Sequence, residues 1–485
     1  MESKGRGGLH TVPDHMSPRA VGLAISVVVL CIGLFTQPPT GLSVTGQRAI
    51  TVFLIALTLW LTKPVPYIIS SVLSVTLLFS LGTVDSFAAA TTGYASSLVF
   101  FLLALLLLGN AIADVGLDQQ LAHQLLSTES TPQHTLRSIA GSMLGLALIM
   151  PSAMARAVTF IPIVDQISSE FNYSEDSGFE RAAFLLLGHV NPIASMALMT
   201  GGGMALVTSE IVNTSVQPIS WVDWAILMVP PTLLLYVLAA FAAIIFTTID
   251  DQTDSSSGDT ASNDAQESTL ETDGKGTQQL SRDQWIVGAV TSGAVVSWIV
   301  GSFVGLPTVL PAVVAVTILS LPRIGVITAA DATDVSWGII FLIGAMLSIL
   351  DAMQATGAIQ YIVDILTVLV PFGVLAEWQI IAVLLAIAVG VRVLFSTGSA
   401  AIVVVLPIVL EFAGEYAINR LYLALAVLLV VGSTTLLPFN TTAVLVSMDH
   451  GPLSHRDIAS FGFVTMALSL VVAVCAWIVY WPIVT

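Results

Sequence analysis

The sequence is poor in charge. Lys, Arg, Asp and Glu make up only 9% of its 485 residues, where a soluble globular chain carries about 25%. With 56% hydrophobic residues and a mean hydropathy of +0.93, this scarcity excludes a water-soluble domain and points to a chain bathed in lipid. Cysteine is nearly absent. Cys31 and Cys475 stand at opposite ends in apolar runs, which excludes a disulfide framework and a thiolate metal site. No glycine-rich loop ending in Gly-Lys-Ser/Thr occurs, so ATP is not a direct energy source. His123, His134, His189, His450 and His455 never fall at ligand spacing and are expected in loops or at interfaces. Ser152 lacks a His/Asp partner motif, which argues against nucleophilic catalysis. No enzyme activity, resident cofactor or nucleic-acid partner is expected.

Alternation is missing too. The apolar runs are continuous, which excludes a transmembrane β-barrel and leaves helices of about twenty residues as the spanning elements. By that criterion there are about eleven spans, near 20–36, 49–62, 66–84, 95–115, 180–199, 222–247, 284–303, 306–322, 335–353, 420–436 and 458–482. Two further apolar stretches, 137–168 and 379–411, are interrupted in their middles. The start, 1–19, is polar, carries Lys4 and Arg6 and has no small-residue cleavage site. It reads as a cytoplasmic tail rather than a signal peptide.

Acid gathers outside the spans and brings the net charge to −17. Residues 250–283 hold nine Asp or Glu against Lys275 and Arg282, with too little apolar surface to bury a core. They read as a disordered cytoplasmic connector, and the acidic balance also suits the salt-rich cytoplasm of a halophile. The connector separates 20–249 from 284–485, and these halves share a plan. "SVTLLFSLG" (74–82) aligns with "AVTILSLPR" (315–323). At the same offset Phe100 meets Phe341, Ala104 meets Ala345, Ala111 meets Ala352 and Gly116 meets Gly357. Further on, "FIPIV" (160–164) meets "VLPIV" (405–409). An N-terminal span plus two five-span repeats makes the second repeat inverted and puts the C-terminus outside.

Each half has two breaks. "PSAMARA" (151–157) and "STGSAA" (396–401) interrupt the long apolar stretches, which then read as re-entrant hairpins. Some forty residues later, "MTGGGMALV" (199–207) and "GSTTLLPFNTTAVL" (432–445) unwind a helix. Non-helical backbone at membrane depth persists only where protein or a cavity satisfies it. Helix ends there offer N–H groups to anions and carbonyls to cations.

In order, these features resemble the divalent anion/sodium symporter family, carriers of dicarboxylates, citrate or sulfate. "LWLTKPVPYIISSVLSVTLLFSLG" (59–82) is similar to its early W-x-T-E-x-x-P-x segment, with Lys63 where an acid is common. "VSWGIIFLIGAMLSILDAMQATGAIQYI" (335–362) is similar to its N-W-G segment, and "GPLSHRDIASFGF…YWPIV" (451–484) to its last loop and span. The resemblance implies a small anionic substrate, a homodimer in the bilayer, and hairpin tips of Ser-Asn-Thr that bind carboxylate and sodium. Anchored on Pro162 and Pro407, the tips here are Ser152-Ala153-Met154 and Thr397-Gly398-Ser399. Both asparagines are absent, and the family's T-P-P-N becomes Phe439-Asn440-Thr441-Thr442. Carried over by position, the substrate residues are both tips with Thr200, Gly201, Asn440, Thr441 and Thr442. The sodium sites fall at Ser152, Gly202, Thr397 and Thr441, with weaker sodium dependence than the family norm.

Arg156 sits in "PSAMAR", which resembles the exchanger branch's P-S-N-T-A-R. Its fork suits a carboxylate or sulfate, or else it pairs internally with Asp165. Arg392 lies before the second tip, and two cations near a site could partly replace sodium. The expected function is therefore secondary anion transport by alternating access, sodium-coupled or in exchange mode. Two alternatives stand beside it. One is a cation/proton antiporter or arsenite-type exporter, although Asp165 and Glu210 are isolated carboxylates. The other is a non-transporting receptor on the same fold.

Overall fold

The computed structural model describes residues 18–125, 131–170, 177–247, 280–370 and 372–485. The basic tail and nearly all of the acidic connector lie outside these residues. Among the described residues every regular element is helical, because in lipid the backbone finds its partners only within the chain.

Among the described residues, eight helices are long and apolar enough to cross a membrane. Val44–Thr62, Ser97–Asp114, Trp221–Phe246, Arg282–Val304, Trp337–Ala355 and His455–Val484 fall on expected spans. Glu377–Leu394 and Gly398–Glu415 are the two arms of the interrupted stretch 379–411. Other expected spans are shorter. Tyr67–Ser80, Val309–Leu319 and Arg420–Ser433 rise at most about 21 Å, against about 30 Å of hydrocarbon. The segment expected at 180–199 is not one helix: Gly178–Leu185 passes through a π turn, Leu186–Val190, into Asn191–Ala194.

The breaks also lie differently from expectation. The non-helical residues are 148–152 and 395–397, so Ala153–Ala157 and Gly398–Ala401 are already helical. Pro151 and Ser152 start the helix Ala153–Glu170 at once, with Ser152 Oγ accepting the Ala155 N–H at 3.2 Å as an N-cap does. Of the stretches expected to unwind, residues 195–202 and 434–441 leave the α-helix, the latter through a 3-10 turn at Pro438–Asn440.

The chain forms two compact units, Met1–Ser96 with Ser336–Pro371, and Ser97–Val335 with Phe372–Thr485. In the first, Val44–Thr62 packs between Pro18–Phe35 and Tyr67–Ser80, and Tyr67–Ser80 packs on Trp337–Ala355. A Cβ on Gly93 would lie 2.2 Å from Gly344 O, so only glycine permits this approach. It lets Gly93 N–H reach Ser348 Oγ at 3.0 Å and Thr92 Oγ1 reach Asp351 Oδ2 at 3.0 Å. In the second unit Leu421 to Thr435 is buried at every position. Around this central rod pack Gly203–Ser215, Glu377–Leu394, Gly398–Glu415 and His455–Cys475. Ser97–Asp114 packs on Val309–Leu319. The outer helices leave Phe241 and Phe303 exposed, which costs nothing against lipid tails.

Candidate functional site

The two breaks in the long apolar stretches are built around buried arginines. At the first, the chain leaves Pro132–Ala147 and re-enters helix at Ala153. Arg156 is 0% exposed. Its Nε donates to Asn191 Oδ1 at 2.7 Å, its Nη2 to Asn191 O at 3.2 Å and Ser195 Oγ at 2.7 Å, and its Nη1 to Met150 O. Asn191 completes the knot, with Nδ2 donating to Ala153 O at 2.7 Å and Leu187 O at 3.3 Å. One guanidinium thus ties the bend at Met150 to the helix end that unwinds at Ser195.

At the second break the same parts recur in another order. Arg392, also 0% exposed, closes the helix Glu377–Leu394. It donates to Phe395 O at 2.9 Å, Val431 O at 3.0 Å and Asn440 O at 2.8 Å. Asn440 sends Nδ2 to Val393 O and Phe395 O, both at 2.9 Å, and accepts Leu437 N–H on Oδ1 at 2.9 Å. Among the described residues, the hydrogen-bond partners of the two guanidiniums are carbonyl, amide or hydroxyl oxygens, and none is a carboxylate. Each charge is solvated by peptide dipoles, which offsets the desolvation of a buried cation without cancelling its charge.

The breaks converge on the three glycines. A Cβ on Gly202 would lie 3.6 Å from Pro151 O, and one on Gly203 would lie 2.8 Å from Ser399 Oγ. Adjacent Cα atoms are 3.8 Å apart, which bounds the separation of Pro151 O and Ser399 Oγ at about 13 Å. Gly398 faces Met204. The packing is crossed: Gly203–Ser215 lies on Gly398–Glu415, and Thr442–His450 on Ala153–Glu170.

The structure sorts the residues named from sequence. Ser152, Gly202, Gly398 and Ser399 belong to this convergence, and Ala153 lends its carbonyl to Asn191. Met154 is exposed. Thr200 turns away, its Oγ1 accepting from Trp221 Nε1 at 3.3 Å, and Gly201 packs on Ser195 O. Thr397 ends the second break as the residue before the helix Gly398–Glu415. Thr442 is exposed and opens Thr442–His450. Asn440 is fully engaged by backbone. Ser152 Oγ and Thr441 Oγ1 each accept one N–H, from Ala155 and Val444, which leaves a lone pair on each for a cation. Arg156 does not pair with Asp165, which is exposed; its donors go to Met150, Asn191 and Ser195.

Sequence reasoning missed Asn191 and Ser195. An Asn-Pro pair inside the apolar segment 180–199 was the available signal. His189, expected in a loop or at an interface, is buried in the π turn with Nε2 3.2 Å from Ile458 O. Asp118, a span-end acid, is 4% exposed and accepts Thr159 Oγ1 at 2.7 Å.

Residues 17–485 match the family described as the sodium:sulfate symporter transmembrane region. A protein of Cupriavidus necator described only as a membrane protein is 23% identical over 484 residues, 95% of this chain and 92% of that one. The sodium-dependent dicarboxylate transporter SdcS of Staphylococcus saprophyticus is 22% identical, over 94% of this chain and 90% of its own. Dicarboxylate transporter 1, chloroplastic, of Arabidopsis thaliana is 24% identical over 70% of this chain and 60% of its own.

Proposed function

The chain belongs to the sodium:sulfate symporter family, and from that premise we propose that it carries small divalent anions across the membrane by alternating access. The family is one of transporters rather than enzymes, and the protein is a multi-pass membrane protein. The observation that carries the proposal is the pair of buried arginines, each beside a break and neither bonded to a carboxylate. Two uncompensated cations make the convergence attractive to an anion. At about 8 Å and an effective dielectric near 20, each guanidinium would stabilise a dianion by about 4 kcal/mol.

Arg156 and Arg392 act here through their field and by shaping the breaks. Direct contacts to the anion come from Ser152, Thr397 and Ser399, with the backbone of Gly202 and Gly203 and the free amides of the helix starts. A sodium ion travelling with the anion would use Ser152, Thr441 and nearby non-helical carbonyls. Exchange of one anion for another needs no such ion, and both modes stay within this reading. The relatives' names, a sodium-dependent dicarboxylate transporter and a chloroplastic dicarboxylate transporter, favour a dicarboxylate over sulfate.

Two inverted repeats, eleven crossings and two re-entrant hairpins are the architecture proposed for this task. Its support is an exchange of partners: Tyr67–Ser80 packs on Trp337–Ala355, and the aligned pair Val309–Leu319 and Ser97–Asp114 packs likewise. The N-terminus and connector are then cytoplasmic and the C-terminus outside, and the working form is a homodimer. The test is uptake of labelled dicarboxylate, citrate or sulfate into proteoliposomes, with and without sodium and with and without internal anion. Uptake of at least one, competed by the others, is expected. Intact, folded protein that moves none of them in any condition would overturn the proposal.

A further inference from the structure

Glu210 stands apart from both breaks, two turns along Gly203–Ser215 from the glycines. Its carboxylate borders a cavity of about 260 Å³ walled on its apolar side by Leu98, Phe101, Met199 and Leu206. One side-chain bond reaches it, from Ser97 Oγ at a long 3.4 Å. The helices packed against Gly203–Ser215 are Ser97–Asp114, Gly398–Glu415 and Arg420–Ser433. Their ionisable groups, Asp114, Glu411, Glu415, Arg420 and Tyr422, make no ion pair with Glu210 among the described residues. Two other polar groups of the wall are turned to backbone: Ser209 Oγ donates to Leu206 O at 2.8 Å, and Asn213 Oδ1 accepts Ile219 N–H at 2.6 Å. A hard cation demands a full shell of oxygens. A proton asks for one carboxylate.

The cavity is also linked to the glycine segment. Trp298 Nε1 donates to Thr308 O in the cavity wall at 2.7 Å. Trp298 stacks on Trp221 at 6.5 Å and 11°, and Trp221 Nε1 donates to Thr200 Oγ1. Met199 and Leu206 flank the same segment. Glu210 is half-buried, so against this apolar wall its carboxylate is costlier to charge than one in open water, and its charge state bears on the wall that holds Thr200.

We infer that Glu210 is a proton-binding site coupled to the glycine segment, so that a proton enters on its carboxylate with the anion and leaves on the other side. The coupling rests on the carrier reading above; proton binding itself does not. Two arms keep them separate. In lipid-reconstituted protein, pH-difference infrared spectroscopy should show a protonated carboxyl band that Glu210→Gln removes. In proteoliposomes, an inward proton gradient should raise equilibrium accumulation of the transported anion by about tenfold per pH unit, with acidification of the lumen. Glu210→Gln should abolish that response, and Glu210→Asp should retain it, size-exclusion profiles confirming that both variants fold. An unchanged band in Glu210→Gln overturns proton binding, and wild-type accumulation indifferent to the gradient overturns the coupling. Absence of any anion uptake would sink the carrier reading and the coupling together, while the infrared arm still decides the proton site.

Discussion

The first break and the second solve one problem with residues from different places. In the first, the arginine follows the bend and its asparagine precedes the unwound segment: Arg156, then Asn191. In the second, the arginine precedes the bend and its asparagine lies near the end of the unwound segment: Arg392, then Asn440. Both arginines grip the carbonyl at the bend, Met150 or Phe395, and both asparagines return an amide to the break. The difference teaches that the requirement is for donors. Wherever backbone leaves the helix in a lipid environment its carbonyls need partners, and a planar fork supplies several at once.

The sharpest way to break this equivalence is to remove the forks. Arg156→Ala and Arg392→Ala should each destabilise the detergent-solubilised protein by about 3 kcal/mol or more, from several charge-assisted bonds lost together. Lysine at either position should recover little, since it keeps the charge but not the geometry. Thermal unfolding of the four variants decides. Tolerance of Arg392→Ala beside collapse of Arg156→Ala would end the equivalence.

Next come the glycines that press on each unwound segment. A Cβ at Gly462 would lie 2.0 Å from Thr435 O, and one at Gly201 would lie 2.6 Å from Ser195 O. Both neighbours are backbone and cannot swing aside. Gly462→Ala should cost about 2–3 kcal/mol, with Gly201→Ala milder, read from folded yield and Tm. The reverse order would mean that the second unwound segment yields more readily than the first.

The asparagines should rank below these. Asn191→Ala and Asn440→Ala each free two backbone carbonyls, for a predicted loss of about 1–3 kcal/mol. Transport velocity should fall in both, because the bends lose their shape. A variant with normal stability and normal transport would show its amide to be dispensable.

The smallest effects should separate the two tips. Ser399 faces Gly203, and Ser399→Ala should weaken anion affinity by roughly two- to tenfold, the worth of one neutral hydrogen bond. Ser152 also caps a helix, so Ser152→Ala should lose about 1 kcal/mol of stability besides its share of anion affinity. Equal stability of the two variants would show that the cap contributes nothing beyond ligand binding.

Much of this was legible from composition and pattern. Continuous apolar runs required helices, and the positions of Pro151, the three glycines, Ser396-Thr397-Gly398 and Pro438 located all four breaks to within a few residues. Their exact bounds were not legible, because helix propensity at Ala153 and Ala155 reasserts itself once Ser152 has capped the turn. Arg156 was visible as an anomaly, but its role was not. A lone charge in an apolar run signals that something must solvate it, and the partners Asn191 and Ser195 lie 35 and 39 residues away.

By itself, then, the sequence determined that the chain lives in a membrane, is helical, belongs beside anion carriers and is interrupted twice in each half. These follow from hydropathy, from backbone hydrogen bonding in lipid and from the residues that cannot continue a helix. Only the tertiary structure decided which break faces which and what each arginine holds. It alone set Pro151 and Ser399 against adjacent glycines, since those contacts join segments far apart in the chain and hydrophobic packing carries no local signature of its partner.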